Sequence, residues 1–215
     1  MSHKIKTVLG VLLLVVAVAI KGCDFLENPA SPERGASHHL QHSDDEKQGR
    51  YFVLRDCHYL ADKTYNDGDS FKIKTRDGRV VEVRLYYVDA AESKDKPYED
   101  YRRRVADQGK DFGGLNYEKT IALGKEAKTY AEARLKSAEL TIYTGWEEVY
   151  DSGRYYAFVK VGADEWWHET LVEKGLARIH TKGEELPDGT RYGTHKKELI
   201  ALEKQAQRAK VGAWG

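Results

Sequence analysis

Proline is scarce in this chain, with four in 215 residues, cysteine occurs twice and methionine once. So few prolines exclude a collagen-like or proline-rich disordered chain, and two cysteines exclude both a disulfide-stapled scaffold and a cysteine-ligated zinc site. A surplus of charge is missing too: 35 Lys and Arg face 35 Asp and Glu. No global basic field marks the chain as a nucleic-acid binder, so any such binding has to be local. Beyond residue 20 there is no long hydrophobic run, and no internal repeat is visible. What is present, 40% hydrophobic and 11% aromatic residues with 33% charged, fits a globular chain with a packed core. The length suits one medium domain with a tail.

The first residues differ chemically from the rest. His3, Lys4 and Lys6 precede an uncharged, mostly apolar stretch from Thr7 to Ile20, and Lys21, Gly22 and Cys23 follow. The apolar run is shorter than the ~20 residues that span a bilayer, and its order of charge then apolar core is that of an export signal. Residues 1–22 are therefore expected to be a signal peptide or a short membrane anchor. The Gly22-Cys23 ending resembles a bacterial lipoprotein signal, which implies cleavage before Cys23 and a lipid on its sulfur, although Lys21 stands where that pattern has a small uncharged residue. Residues 23–50 are polar, with Pro, Gly, Ser and His38, His39 and His42, and are expected to form a flexible tether. Cys57 then lacks a partner and reads as a half-buried strand thiol.

From Tyr51 on, β-branched and aromatic runs at Tyr51 to Leu54, Ser70 to Thr75 and Val80 to Val88 are separated by Asp-Gly turns at 66–69 and 76–79. This predicts an antiparallel meander. Apolar residues at three- and four-residue intervals predict a helix over about 118–137. Two more strands are expected at Leu140 to Tyr143 and Tyr155 to Val161, then helices over about 165–177 and 194–210. The fold class this gives is α+β, a five-stranded barrel of the OB-fold type with about three helices. Residues 94–117, charged and glycine-containing, read either as a substrate-side flap or as a solvated insertion.

Three segments bear chemistry: Asp67-Gly68-Asp69-Ser70, then Arg84 through Glu92, then Gly153-Arg154-Tyr155. Each alone has an ordinary explanation, as a turn, a surface ion pair or a helix cap. Together, Asp69, Asp89 and Glu92 offer hard oxygen ligands for Ca²⁺, and Arg84 and Arg154 offer planar forks for a phosphate. Phosphodiester hydrolysis needs this mix, because negative charge builds at phosphorus while water must lose a proton. Arg84 and Asp89 are five apart, so a regular strand would place them on opposite faces and the strand must bend or end between them.

The ordered runs DGDSFKI, VRLYYVDAAES, GRYYAFV, LVEKGLARI and QAQRAKVGAW resemble the staphylococcal nuclease (thermonuclease) family over about residues 51–215. The resemblance implies a Ca²⁺-dependent endonuclease acting on DNA and RNA as a monomer, with Mg²⁺ or Mn²⁺ as alternative ions. It further implies Asp69, Asp89 and the carbonyl of Ala90 as metal ligands, Glu92 as the catalytic acid-base, Arg84 and Arg154 as phosphate clamps, and Asp67 as an auxiliary acid. With a lipid on Cys23 or an N-terminal anchor the protein belongs at a membrane of the cell envelope; without either it is secreted. The competing expectation is a nuclease-fold module that binds nucleic acid or protein with little turnover. Ala90-Ala91 stand where the family often has threonine and proline. Asp151, Ser152, Thr181 and Gly183 replace residues that grip substrate. Tyr155, Tyr156, Tyr192 and the Tyr98–Arg104 segment are the expected substitutes, each with the plainer reading of a packing residue. His168, His180 and His195 lack ligand spacing and are expected to be non-catalytic, and Trp166, Trp167 and Trp214 to be packing anchors.

Overall fold

The computed structural model describes residues 40–42, 45–62 and 64–215. The expected signal or anchor (residues 1–22), Cys23 and most of the tether lie outside them. Among the described residues no helix is long and apolar enough to cross a membrane.

The Asp77-Gly78 turn joins β3 (Ser70–Lys74) to β4 (Val80–Leu85) as an antiparallel hairpin, with Ser70 opposite Arg84. Gly78 takes φ +92°, which a side chain would resist. Before them, β2 (Tyr51–Leu60) bends at a bulge between Leu54 and Cys57, where Asp56 has φ +52°. The bend lets the end of β2 pair with β3 while its beginning pairs with β6 (Leu140–Glu148). β6 runs antiparallel to β7 (Arg154–Val161), and β7 lies parallel to β4. The pairings β2–β3–β4–β7–β6 thus return to β2, and the meander expected from the turns accounts for three of these five strands. Phe71, Ile73, Val83, Leu85, Ile142 and Phe158 fill the interior and are fully buried, each side chain contributing roughly 1.5–3 kcal/mol.

The expected tether ends earlier than residue 50. Glu46–Gln48 forms a strand, β1, paired with the start of β2. Arg79 donates to both carboxylate oxygens of Asp45 at 2.8 and 2.9 Å and to the carbonyl of Leu40. Cys57 is fully buried, not half-buried, and burial pushes its thiol up to about 12.

Four α-helices occur among the described residues, against about three expected. The additional one, α1 (Glu99–Asp111), lies inside the 94–117 excursion, where eight charged residues in thirteen obscure its buried stripe of Tyr101, Val105, Gln108 and Gly109. That stripe packs on Ile121 of α2 (Tyr117–Leu135). Asn116 caps α2 by accepting the Lys119 N–H at 2.9 Å. The helix expected over 165–177 is shorter. A two-residue strand β8 (Glu165–Trp166) leads into α3 (Trp167–Glu173), Gly175 reverses the chain at φ +64°, and β9 (Ala177–Ile179) follows. α4 (Tyr192–Ala209) closes the domain and ends at Lys210 in the left-handed conformation. Trp166 and Trp167 belong to the core, and half-buried Trp214 packs on Phe112.

Candidate active site

The bend demanded between Arg84 and Asp89 is present. β4 ends at Leu85, Tyr87 takes φ +68°, and β5 (Val88–Ala90) restarts the strand to pair with β9. A non-glycine residue in that region costs about 1–3 kcal/mol, and the surroundings of Tyr87 offset it. Its ring stacks on Tyr192 and His168, its hydroxyl donates to the Glu184 carbonyl at 2.5 Å, and its backbone bonds to Lys182, His180 and Thr181. The consequence is that Arg84 and Asp89, on different strands, meet.

Asp69 starts from the 67–70 turn, where the Ser70 N–H donates to Asp67 Oδ1 at 3.0 Å and the Trp167 indole donates to the Gly68 carbonyl at 3.0 Å. Arg84 then joins the two aspartates: one guanidinium nitrogen touches Asp69 Oδ2 and the other donates to Asp89 Oδ1 at 2.7 Å. Asp69 Oδ2 also accepts the Ala90 N–H. Glycine at 124 brings α2 directly against the carbonyls of Ala91 and Glu92, where a Cβ would collide. Asp67, Asp69, Arg84, Asp89, Ala90, Glu92 and Arg154 all line one cavity of about 440 Å³. Sequence reasoning thus named a set of residues that the fold does bring together.

Two residues of the site, Arg178 and Gln108, lie outside the expected set. Arg178 on β9 lies opposite Asp89 and donates to Asp89 Oδ2 through Nε at 2.8 Å and a terminal nitrogen at 2.6 Å, while also pairing with Asp111. Gln108 donates to Asp89 Oδ2 at 3.0 Å and to the Ala90 carbonyl at 3.1 Å, and accepts the Glu92 N–H at 3.0 Å. Arg104, from the Tyr98–Arg104 segment expected to meet substrate, is exposed and lies 2.8 Å from Glu92 Oε1. Arg104, Gln108 and Asp111 fall at i, i+4 and i+7 on α1, one face of a helix; that spacing was the available signal. Tyr150, 91% exposed at the cavity rim, is a further aromatic that was overlooked. Tyr155, by contrast, is core at 1% exposed, and Tyr192 lies outside the cavity against Tyr87.

Charge in the cavity is nearly all committed. Burial opposes the charge of Arg84, but Asp69 and Asp89 outweigh it and hold the guanidinium's pKa above its ordinary value. Burial also pushes Asp89 up, and Arg84 and Arg178 more than reverse this, so its carboxyl sits below the usual range. Asp67 is the exception: burial and then the adjacent Asp69 charge push it well above the carboxylate range. A carboxylate pair in mutual repulsion, beside a third carboxylate and the Ala90 carbonyl, is a hard-oxygen donor set suited to a divalent cation. Arg154, half-buried, donates through Nε to Ser152 Oγ at 3.2 Å and makes no ion pair among the described residues. Its fork is free of carboxylates.

His168, Glu169 and His195 form a second cluster away from this cavity. The two Nε2 atoms are 2.7 Å apart, a hydrogen bond, whereas two nitrogens on one zinc at ~2.0–2.1 Å bonds stand about 3.3 Å apart. His195 Nδ1 lies 3.1 Å from Glu198, and burial holds both imidazoles neutral, the pKa values lowered. Burial, then Glu198 and Asp188, raise Glu169 to about 7. A carboxyl raised on folding contributes stability that is full below its ordinary value near 4.5 and is lost as pH rises through about 7. Glu169→Gln should therefore melt progressively higher than the wild type as pH rises across that window, with the two converging below it. Parallel melting curves across the window would exclude the assignment.

A protein-family model described as staphylococcal nuclease homologue matches residues 82–215, more than half of the chain. No curated protein matches it.

Proposed function

The chain belongs to the staphylococcal nuclease homologue family, and on that premise we propose that it is a Ca²⁺-dependent endonuclease hydrolysing phosphodiesters of DNA and RNA without regard to the sugar. The observation that carries this reading is the convergence of Arg84, Glu92 and Arg154 with Asp67, Asp69, Asp89 and Ala90 on one cavity. A nucleic-acid-binding module would use arginines on phosphates too, but it has no need of the Glu92 carboxylate beside them in the same cavity.

Asp69, Asp89 and the carbonyl of Ala90 would hold Ca²⁺, with Asp67 as an auxiliary acid. When bound, the ion supplies positive charge against the phosphoryl oxygens. The rest falls to the chain. Arg154, which pairs with no carboxylate among the described residues, clamps the phosphate and faces the leaving oxygen. Arg84 has five N–H donors; its contacts to Asp69, Asp89 and Ser70 fix its plane and leave donors for a second phosphate oxygen. Glu92 takes the proton of the attacking water through an oxygen now facing Arg104. Tyr150 at the rim offers a base a stacking face in place of the aromatic residues the family has elsewhere. We place the protein at the cell envelope, through a lipid on Cys23 or an N-terminal anchor, or outside the cell, with residues 51–215 as the catalytic domain and the chain a monomer.

The test is digestion of single- and double-stranded DNA and of RNA by the purified protein with Ca²⁺ or with chelator. Cleavage of all three that chelator abolishes is expected, and Mg²⁺ or Mn²⁺ in place of Ca²⁺ identifies the working ion. Salt-sensitive binding with no product under any ion would select the binding-module reading instead.

A further inference from the structure

We propose that Gln108 is a positioning residue, whose single amide locks the carboxylate of Asp89, the carbonyl of Ala90 and the backbone of Glu92 into one unit. The inference rests on the nuclease reading above. It assigns to α1, within the 94–117 excursion, the task of buttressing the site.

Gln108 is 1% exposed, and each hydrogen bond of its amide ends on the site. Its Nε2 donates to Asp89 Oδ2 at 3.0 Å and to the Ala90 carbonyl at 3.1 Å, and its Oε1 accepts the Glu92 N–H at 3.0 Å. The partners fix the amide's orientation. Turned over, it would set its oxygen against a carboxylate and a carbonyl and its NH₂ against an N–H, three repulsive contacts in place of three bonds. Together with Arg178, Gln108 loads Asp89 Oδ2 with three N–H donors, whereas Oδ1 carries the one from Arg84. Ligation by Asp89 therefore falls to Oδ1. The Ala90 carbonyl has two lone pairs, and Gln108 takes one, leaving the other for a cation. The third bond holds the backbone of Glu92, so the acid-base is fixed in register with the two ligands.

Outer residues that orient metal ligands typically cost 10–100-fold in affinity or activity when removed. Gln108→Met keeps the bulk of the side chain and removes all three bonds. In the full-length protein it should weaken Ca²⁺ binding, measured by calorimetry with Ca²⁺ alone, by about 10–100-fold. It should lower kcat on DNA at moderate Ca²⁺ and leave KM for DNA within about twofold. Val105→Ala, which loosens the same helix in its contact with Ile121 away from the cavity, is the control; it should lower the melting temperature and leave Ca²⁺ affinity within about twofold. If Gln108→Met does not melt cooperatively, Gln108→Asn carries the test, since its shortened amide cannot span all three partners. Ca²⁺ affinity and kcat unchanged in the Gln108 variant, or lowered equally by Val105→Ala, overturn the proposal while leaving the nuclease reading intact. A wild type that neither cleaves nor binds Ca²⁺ removes that reading, and the inference with it.

Discussion

Glu92→Gln should reduce kcat/KM for nucleic acid by about 10²–10⁴-fold, the ordinary range for a general acid-base, and leave the fold untouched. The two halves of that expectation come from the same geometry. Glu92 is only half-buried, and its carboxylate faces the exposed Arg104 at 2.8 Å. An ion pair of this kind contributes about 0–1 kcal/mol. The isosteric amide keeps the backbone bond to Gln108, which uses the N–H and not the side chain. What it loses is the capacity to accept a proton. Steady-state kinetics beside a urea melt separates the effects: cleavage falls by orders of magnitude and the melt does not move. A residual rate within a few-fold of wild type would mean that another group takes the proton.

The chemistry of this site was legible in the sequence because its charged residues fall in short segments between hairpin turns, and turn chemistry is local. Asp67 and Asp69 belong to an Asp-Gly turn, and Arg84 and Asp89 lie on either side of a bend that their odd spacing demands. The departures have a common physical cause: contacts made at a distance in the chain. α1 is hidden because its apolar Tyr101 and Val105 share the buried stripe with Gln108 and Gly109, and Gln108 is satisfied only by Asp89, Ala90 and Glu92 from outside the helix. The helix expected over about 165–177 stops at Glu173, and the pairing of Arg178 with Asp89 across β9 and β5 makes Ala177–Ile179 extended. β1 came from a polar stretch that orders through Asp45 and Arg79, which are 34 positions apart. Tyr155 is buried against Trp146, which sits at φ +56° in the bulge of β6 between Thr144 and Glu148, and Tyr150 is exposed in the turn that follows.

Arg84→Met combines loss of function with loss of stability, and the two can be measured apart. The guanidinium is 9% exposed and bridges Asp69, 3% exposed, to Asp89. Removing one member of a buried ion pair leaves the other charge uncompensated and costs about 3–5 kcal/mol, a large part of the ~5–15 kcal/mol by which domains are stable. The deficit should depend on pH in a definite direction. Asp89 is held below its ordinary value of 3.8 in the wild type, so the stability it contributes is full above that value and is lost as pH falls through the lowered one. Without Arg84 that contribution shrinks, and the gap between variant and wild type should therefore be widest near neutrality and narrow in acid. Arg84→Lys retains a charge near the two carboxylates but not the planar fork that can meet Asp69, Asp89 and a phosphate together. It should recover much of the stability and little of the activity, with kcat still lowered by about 10²–10³-fold, as for other lost transition-state donors. A lysine variant that cleaves like wild type would show that Arg84 serves the fold alone and that the phosphate clamp is Arg154.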